Sequence, residues 1–325
     1  MSVATDNIRQ ISNGLRILKI SRPEEVEFLG RKDLVFDALE TGPAIENFTP
    51  FVKFAPRIKA LWYCDTQSAV GLEQLDKIES ITAHSAWRNF DFRLLKNLKY
   101  LRCHDASATQ AKFLNHPGLE VLDCGEGKIE SMELLRDATA LRHFRPNACK
   151  VKSLEGIQTM QSLVELRLSQ AKVLNNIDSL AACTNLQVLE MEPCKKLTDV
   201  SVIRALHALR VLYVSAPTAR FTDLDWLAQS SMLRCAFIDV PLDGIDWEIV
   251  ASHPSLYSLS VQVPTGGLRL AQGEIAKILE SKGRIVKEIS IYTKVIEIEL
   301  EPVATTLAPL SLEQYRQAFG NLPPI

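Results

Sequence analysis

No run of about 18 consecutive apolar residues occurs in the chain, so no segment reads as a membrane-spanning helix. The first residues, MSVATDNIRQISNG, lack the basic-then-apolar layout of a secretory leader. Positive charge is not in excess either. With 37 Lys and Arg against 39 Asp and Glu, the formal net charge is −2. A general affinity for nucleic acid depends on dense positive charge and is not expected. The Gly266-Gly267 pair has no Lys-Ser/Thr after it, so it is no phosphate cradle. No Ser or Cys sits in a nucleophile elbow, and no recognised Cys/His ligand spacing is present. These absences remove nucleotide-dependent, hydrolase and zinc-finger readings. No cofactor is expected.

What the chain has instead is a repeat. Leu186, Leu189 and Met191 are spaced three and then two apart, and Leu209, Leu212 and Val214 repeat that spacing. The same triplet can be centred on Leu61, Ile81, Leu101, Leu122, Phe144, Leu166, Leu189, Leu212, Ala236 and Leu259, at intervals of 20 to 24 residues. A fixed period in this range marks a solenoid. The last two members of each triplet flank one residue of opposite facing, as in a short strand. The first marks the bend into that strand. One coil cannot bury its own apolar side, so stacked neighbours bury it for each other. With 46% hydrophobic residues, the chain can supply such a core.

The repeat lattice divides the chain into three parts: an N-terminal cap over 1–57, a solenoid of about ten coils over 58–264, and a C-terminal cap over 265–325. In the first cap, Leu15, Leu18 and Ile20 already carry the repeat spacing, and DLVFDAL can add a strand. In the last, AQGEIAKILESKG reads as a helix closed by Gly283. Val286, Ile289 and Ile291 give one more strand in phase, and KVIEIELE is expected to pair with it as an edge hairpin, glutamates facing water. Ser311 and Gln314 stand at capping-box spacing and imply a final short helix.

The units KVLNNIDSLAACTNLQVLEME and KKLTDVSVIRALHALRVLYVS resemble the short repeats of bacterial internalin-like leucine-rich-repeat proteins. Leu197, Thr198, Asp199, Val200, Ile203, Leu206 and Leu209 match that pattern position by position, and the likeness extends over about 58 to 263. It implies an α/β solenoid, a leucine-rich-repeat horseshoe with one short strand per coil and the parallel sheet on the concave face. It also implies a non-catalytic module that binds a protein partner, of an inhibitor or immunity type. A scaffold working through the outer face is the alternative. The family places Asn three residues after the last strand leucine, where its side chain satisfies backbone groups of the turn. Here that position holds Thr66, Ala86, Ala106, Gly127, Cys149, Ala171, Cys194, Pro217, Pro241 and Pro264, so other partners must serve those groups.

Once the lattice is set, the outward strand residues can be read as a candidate partner-binding surface. It comprises Trp62, His84, Tyr100, Arg102, His104, Asp123, His143, Arg145, Arg167, Glu190, Glu192, Tyr213, Phe237 and Asp239. Aromatic and arginine side chains of this kind are enriched where proteins bind proteins. The competing reading is a solvated sheet whose charges pair with one another across coils. Cys64, His84 and His104 share one lattice position in consecutive coils, which raises a metal or thiol site. However, the outer members of such a ladder stand about 10 Å apart, wide for one ion. His116 in HPGL and His253 in HPSL each sit at the bend entering a strand and are read as structural. The seven cysteines fall singly on the lattice, Cys103 and Cys124 pointing inward in adjacent coils. Free buried thiols suit the cytoplasm. A monomer is expected, with no nucleic-acid or membrane partner.

Overall fold

The three-then-two spacing folds as the strand pattern requires. A computed structural model describes residues 7–11, 14–83, 87, 90–103, 114–125 and 129–302. These fall into two compact units, one of residues 7–129 and 134–146, the other of 130–133 and 147–302. The expected helix over 311–319 lies outside the described residues. Among those described, no helix is long and apolar enough to cross a membrane.

The first unit contains β1 (Ile8–Gln10), β2 (Arg16–Ile20), β3 (Ala38–Thr41), β4 (Ala60–Trp62), β5 (Ser80–Ala83), β6 (Tyr100–Cys103), β7 (Val121–Cys124) and β8 (His143–Pro146). β1 is antiparallel to β2, and from β2 to β8 every neighbour is parallel. Triplet centres meet triplet centres: Leu61 pairs with Ile81, Ile81 with Leu101, Leu101 with Leu122, and Leu122 with Phe144. The region expected as a cap joins this register, Leu18 pairing with Leu39 and Leu39 with Leu61.

The second unit contains β9 (Glu165–Ser169), β10 (Val188–Glu192), β11 (Val211–Ser215), β12 (Cys235–Asp239), β13 (Ser258–Gln262), β14 (Val286–Ile291) and β15 (Val295–Leu300). β9 to β13 are parallel, with Leu166, Leu189, Leu212, Ala236 and Leu259 in line. Leu166, Leu189 and Leu212 are completely buried, so the repeat register stands. Two helices complete the unit, α1 (Trp247–Ser252) and α2 (Gln272–Ser281), the second followed by Gly283 at φ +77°. β14 and β15 form the expected hairpin, but in the reverse order. β15 lies against β13, antiparallel, and β14 pairs only with β15. The strand of Val286, Ile289 and Ile291 is therefore not the next in the stack.

Away from the sheet, short 3-10 turns return the chain, among them Asp178–Ala182, Ser201–Ala205 and Asp225–Gln229. A coil of this length has no room for a long α-helix, and a 3-10 turn reverses the chain in a few residues. The Asp of the Leu-Thr-Asp-Val stretch starts one such turn: Asp199 Oδ1 accepts from the Ser201 amide at 2.8 Å. Asp91, Asn176, Asp223 and Asp246 do the same for the amides two residues on. Short acceptors before a turn take up amides that would otherwise be orphaned. The bond accepted from the Ser201 amide holds the Asp199 carboxyl below its ordinary range.

The missing turn asparagines are replaced by backbone bonds between coils. Ala148 N donates to Ser169 O, Cys194 N to Ser215 O and Ala216 N to Asp239 O. Cys149, Ala171, Cys194 and Pro264 fill the buried turn position as their lattice place implies. In two coils the position moves by one residue: Ala216 and Val240 are buried there, and Pro217 is exposed. Ala86, Ala106 and Gly127 lie outside the described residues.

Candidate binding face of the sheet

Each strand turns its middle residue outward, and parallel pairing stacks those residues into rows. In the first unit the row runs Trp62, Thr82, Arg102, Asp123 and Arg145. Trp62 is half-buried and meets Tyr63 edge to face, with ring centroids 5.1 Å apart. Arg102 Nε lies 3.3 Å from Asp123 Oδ2. That is an ion pair without the alignment of a hydrogen bond, because Arg102 Nε has no hydrogen-bond partner. Thr82, the third residue of β5 and a member of this row, is covered completely. Tyr100 is also mostly covered, and its burial pushes the phenol above its usual range. His143 and Arg145 are half-buried and both engaged by neighbours. His84 and His104 lie outside the described residues.

Cys64 is not where the lattice puts it. β4 ends at Trp62, and Tyr63 takes φ +49°, a left-handed backbone that re-aims the next side chain. Cys64 consequently points inward, 3% exposed, with its thiol 3.6 Å from the carbonyl oxygen of Leu39. Burial pushes that thiol up to about 12. A thiol in that state is neither a nucleophile nor a ready metal ligand, so the outward Cys64–His84–His104 row has lost its first member. All seven cysteines are free and buried, and Cys103 Sγ lies 3.9 Å from Cys124 Sγ.

In the second unit the outward row runs Arg167, Glu190, Tyr213, Phe237 and Ser260. Arg167 bridges two acids: its Nε donates to Glu165 Oε1 at 2.8 Å, and its Nη1 is 3.3 Å from Glu190 Oε2. The Glu165 side chain is 1% exposed. A buried carboxylate without its cation is costly, so Arg167 is first of all the partner of Glu165. Tyr213 and Phe237 stack face to face, with centroids 4.3 Å apart and planes within 5°. Beside them, Asp239 accepts from Ser215 Oγ at 2.6 Å and from Gln262 Nε2 at 2.7 Å. Glu192 is half-buried and pairs in register with Ser169. Arg167 and Glu190 thus pair across coils and Asp239 is hydrogen-bonded across coils, while the two central rings are part-open.

Each unit therefore gathers its own share of the expected surface residues. Glu165, Ser215 and Gln262 were not among them, although they fix Arg167 and Asp239. The signal for Glu165 was available: it stands two residues before Arg167 in one strand, hence on the same side.

His116 and His253 are lattice staples, as their place at the bends implies. In each, Nδ1 accepts from a backbone amide, from Gly118 at 3.0 Å and from Leu256 at 2.9 Å. The proton therefore sits on Nε2, which reaches a carbonyl of the preceding coil, Leu95 O or Ser230 O, at 3.0 Å.

No protein-family model matches this sequence, and no curated protein matches it. Among solved structures, a leucine-rich-repeat protein of Leptospira interrogans aligns over 86% of this chain and 87% of its own, with a TM-score of 0.55 at 12% identity. The fold is that of a leucine-rich-repeat protein. Internalin C2 of Listeria monocytogenes is similar over 58% of this chain and 73% of its own, with a TM-score of 0.43 at 23% identity. An internalin F structure from the same organism covers 72% and 86%, with a TM-score of 0.38 at 14% identity. In the leucine-rich-repeat frame, the rows described above are the sheet positions between and beside the conserved-spacing leucines.

Proposed function

We propose that this protein is a non-catalytic binding module that recognises another protein through the outward face of its sheet. The observation that carries this reading is the Tyr213–Phe237 stack. Two rings held parallel on neighbouring strands stand half-open beside an ion pair, Arg167–Glu190, and a hydrogen-bonded carboxylate, Asp239. Side chains ordered before docking lose little freedom on binding, and aromatic anchors carry most interface energy. The burial of Cys64 weighs against the thiol alternative. A reducing compartment, the cytoplasm, agrees with seven free thiols. A role for this protein as an inhibitor or immunity-type protein, acting on the partner it binds, belongs to the same proposal.

The test is affinity capture from the source cell, followed by a dissociation constant for the partner found. Tyr213→Ala with Phe237→Ala should weaken binding at least tenfold. Lys195→Glu with Lys196→Glu, on the exposed turn beyond the sheet, should leave it within about twofold. If the lysine pair abolishes binding and the aromatic pair leaves it intact, the outer-face scaffold takes over.

A further inference from the structure

Two parallel rings whose centroids are only 4.3 Å apart must lie face against face, since coplanar rings could not approach so closely. Tyr213 and Phe237 belong to adjacent strands, so their ring normals run across the sheet, from strand to strand. The Phe237 face turned away from Tyr213 therefore looks over β13. There Ser260 stands in register with Phe237 and Ser258 beside it, both too short to cover a phenyl face, while the third outward residue, Gln262, is turned onto Asp239. Beyond β13 comes β15, whose outward residues Glu299 and Glu297 pair in register with Ser258 and Ser260. Both glutamates are exposed. The result is a slot with an aromatic wall, a serine floor and a carboxylate wall, two strand spacings or about 10 Å across.

That width suits one flat cation. A guanidinium laid on the phenyl face lies about 3.5–4 Å from it. Its N–H donors lie in its own plane, so the long exposed side chains of Glu297 and Glu299 would meet it at its edge, by charge-assisted hydrogen bonds of about 2.8 Å. Arginine is favoured over lysine because its planar head both stacks on a ring and presents paired donors. The wider field agrees. Strands β9 to β15 carry the carboxylates Glu165, Glu190, Glu192, Asp239, Glu288, Glu297 and Glu299 against the cations Arg167 and Lys287, a balance of 2 − 7 = −5. Such a face attracts a basic segment and repels an acidic one.

The geometry points to an arginine subsite between Phe237 and Glu297, and hence to a protein partner that presents a basic, arginine-bearing segment to β12, β13 and β15. This rests on the binding-module reading and names the chemistry of its partner.

The probe is N-acetyl-arginine N-methylamide, titrated into the full chain by NMR at low salt, with the lysine and citrulline analogues alongside. Shifts should centre on Phe237, Ser258, Ser260 and Glu297, and the arginine probe should bind at least fivefold tighter than the isosteric but uncharged citrulline. Glu297→Gln with Glu299→Gln, at exposed positions that leave the fold intact, should abolish that preference. Phe237→Leu, with an unchanged melting profile as control, should weaken arginine binding severalfold and lysine binding less. Equal binding of arginine and citrulline, or shifts centred elsewhere, overturns the subsite. Against a captured partner the two readings separate. If binding needs Tyr213 but tolerates Glu297→Gln with Glu299→Gln, the module stands and the arginine subsite falls. If binding ignores the whole outward face, the module reading falls while the probe titration still reports on the subsite.

Discussion

At the scale of single residues, His116 and His253 tie one coil to the next through both ring nitrogens, an arrangement available only to neutral imidazole. Burial pushes both below the ordinary histidine value of 6.5. The unfolded chain therefore takes up these protons first as the pH drops. The stabilisation is complete above about pH 6.5 and is lost as the pH falls from there through the lower folded values. The melting temperature should be flat from pH 8 to 7 and decline as the pH falls below about 6.5. Asp37 and Asp199 are held low by their partners, chiefly Arg16 and the Ser201 amide, and so add their own loss only below about pH 4. In the double variant His116→Gln, His253→Gln the decline below about 6.5 should shrink. An unchanged profile there would remove the histidines from the account. Both staples were legible in the HPGL and HPSL bends, whereas the inward turn of Cys64 was not. It depends on the backbone of Tyr63, and a tyrosine in sequence carries no sign of a positive φ.

At the scale of elements, the coils approach one another as closely as backbone allows at two glycines. Gly156 has φ +102°, and a Cβ there would stand 2.6 Å from the amide nitrogen of Glu133; Gly71 repeats this against Thr49. Gly156→Ala is expected to cost about 1–3 kcal/mol for the backbone alone, with the clash added. Gly244→Ala, where nothing lies within 4 Å, should change stability by less than about 0.5 kcal/mol. Urea denaturation of the pair checks this, and equal midpoints would contradict the close approach. Strands and their register were legible because period 2 inside a period of 20 to 24 admits one folding. The hairpin order was not, because both of its strands alternate. The structure supplies the reason for the choice. β15 alternates without a break, Ile296, Ile298 and Leu300 buried between exposed glutamates, whereas β14 slips register between Val286 and Glu288. An unbroken strand can pair on both edges; a bulged one is better left outside.

At the scale of the whole molecule, stability is close to a sum of coils and of the contacts between neighbours, which is why composition and repeat spacing revealed the architecture and so little about the partner. Of the binding face, the aromatic and arginine positions were legible from the lattice. Which of them are held in internal pairs, as Arg167 is by Glu165, depends on rotamers that spacing does not encode. A parallel stack also has a liability: each exposed strand is a template on which another coil could be laid, from the same chain or from a second copy. In the first unit the parallel run stops at β1, and in the second at β15, each of which runs opposite to its neighbour. The outer strand of the first unit is the reversed β1, which offers an incoming parallel coil the wrong pattern of amides and carbonyls. In the second it is β14, whose register slip between Val286 and Glu288 interrupts the ladder. Sedimentation at rising protein concentration should accordingly show one species of constant mass, and a ladder of growing assemblies would refute it. A reversed strand at one edge and a slipped one at the other act as punctuation in a repeat that has no inherent stopping point.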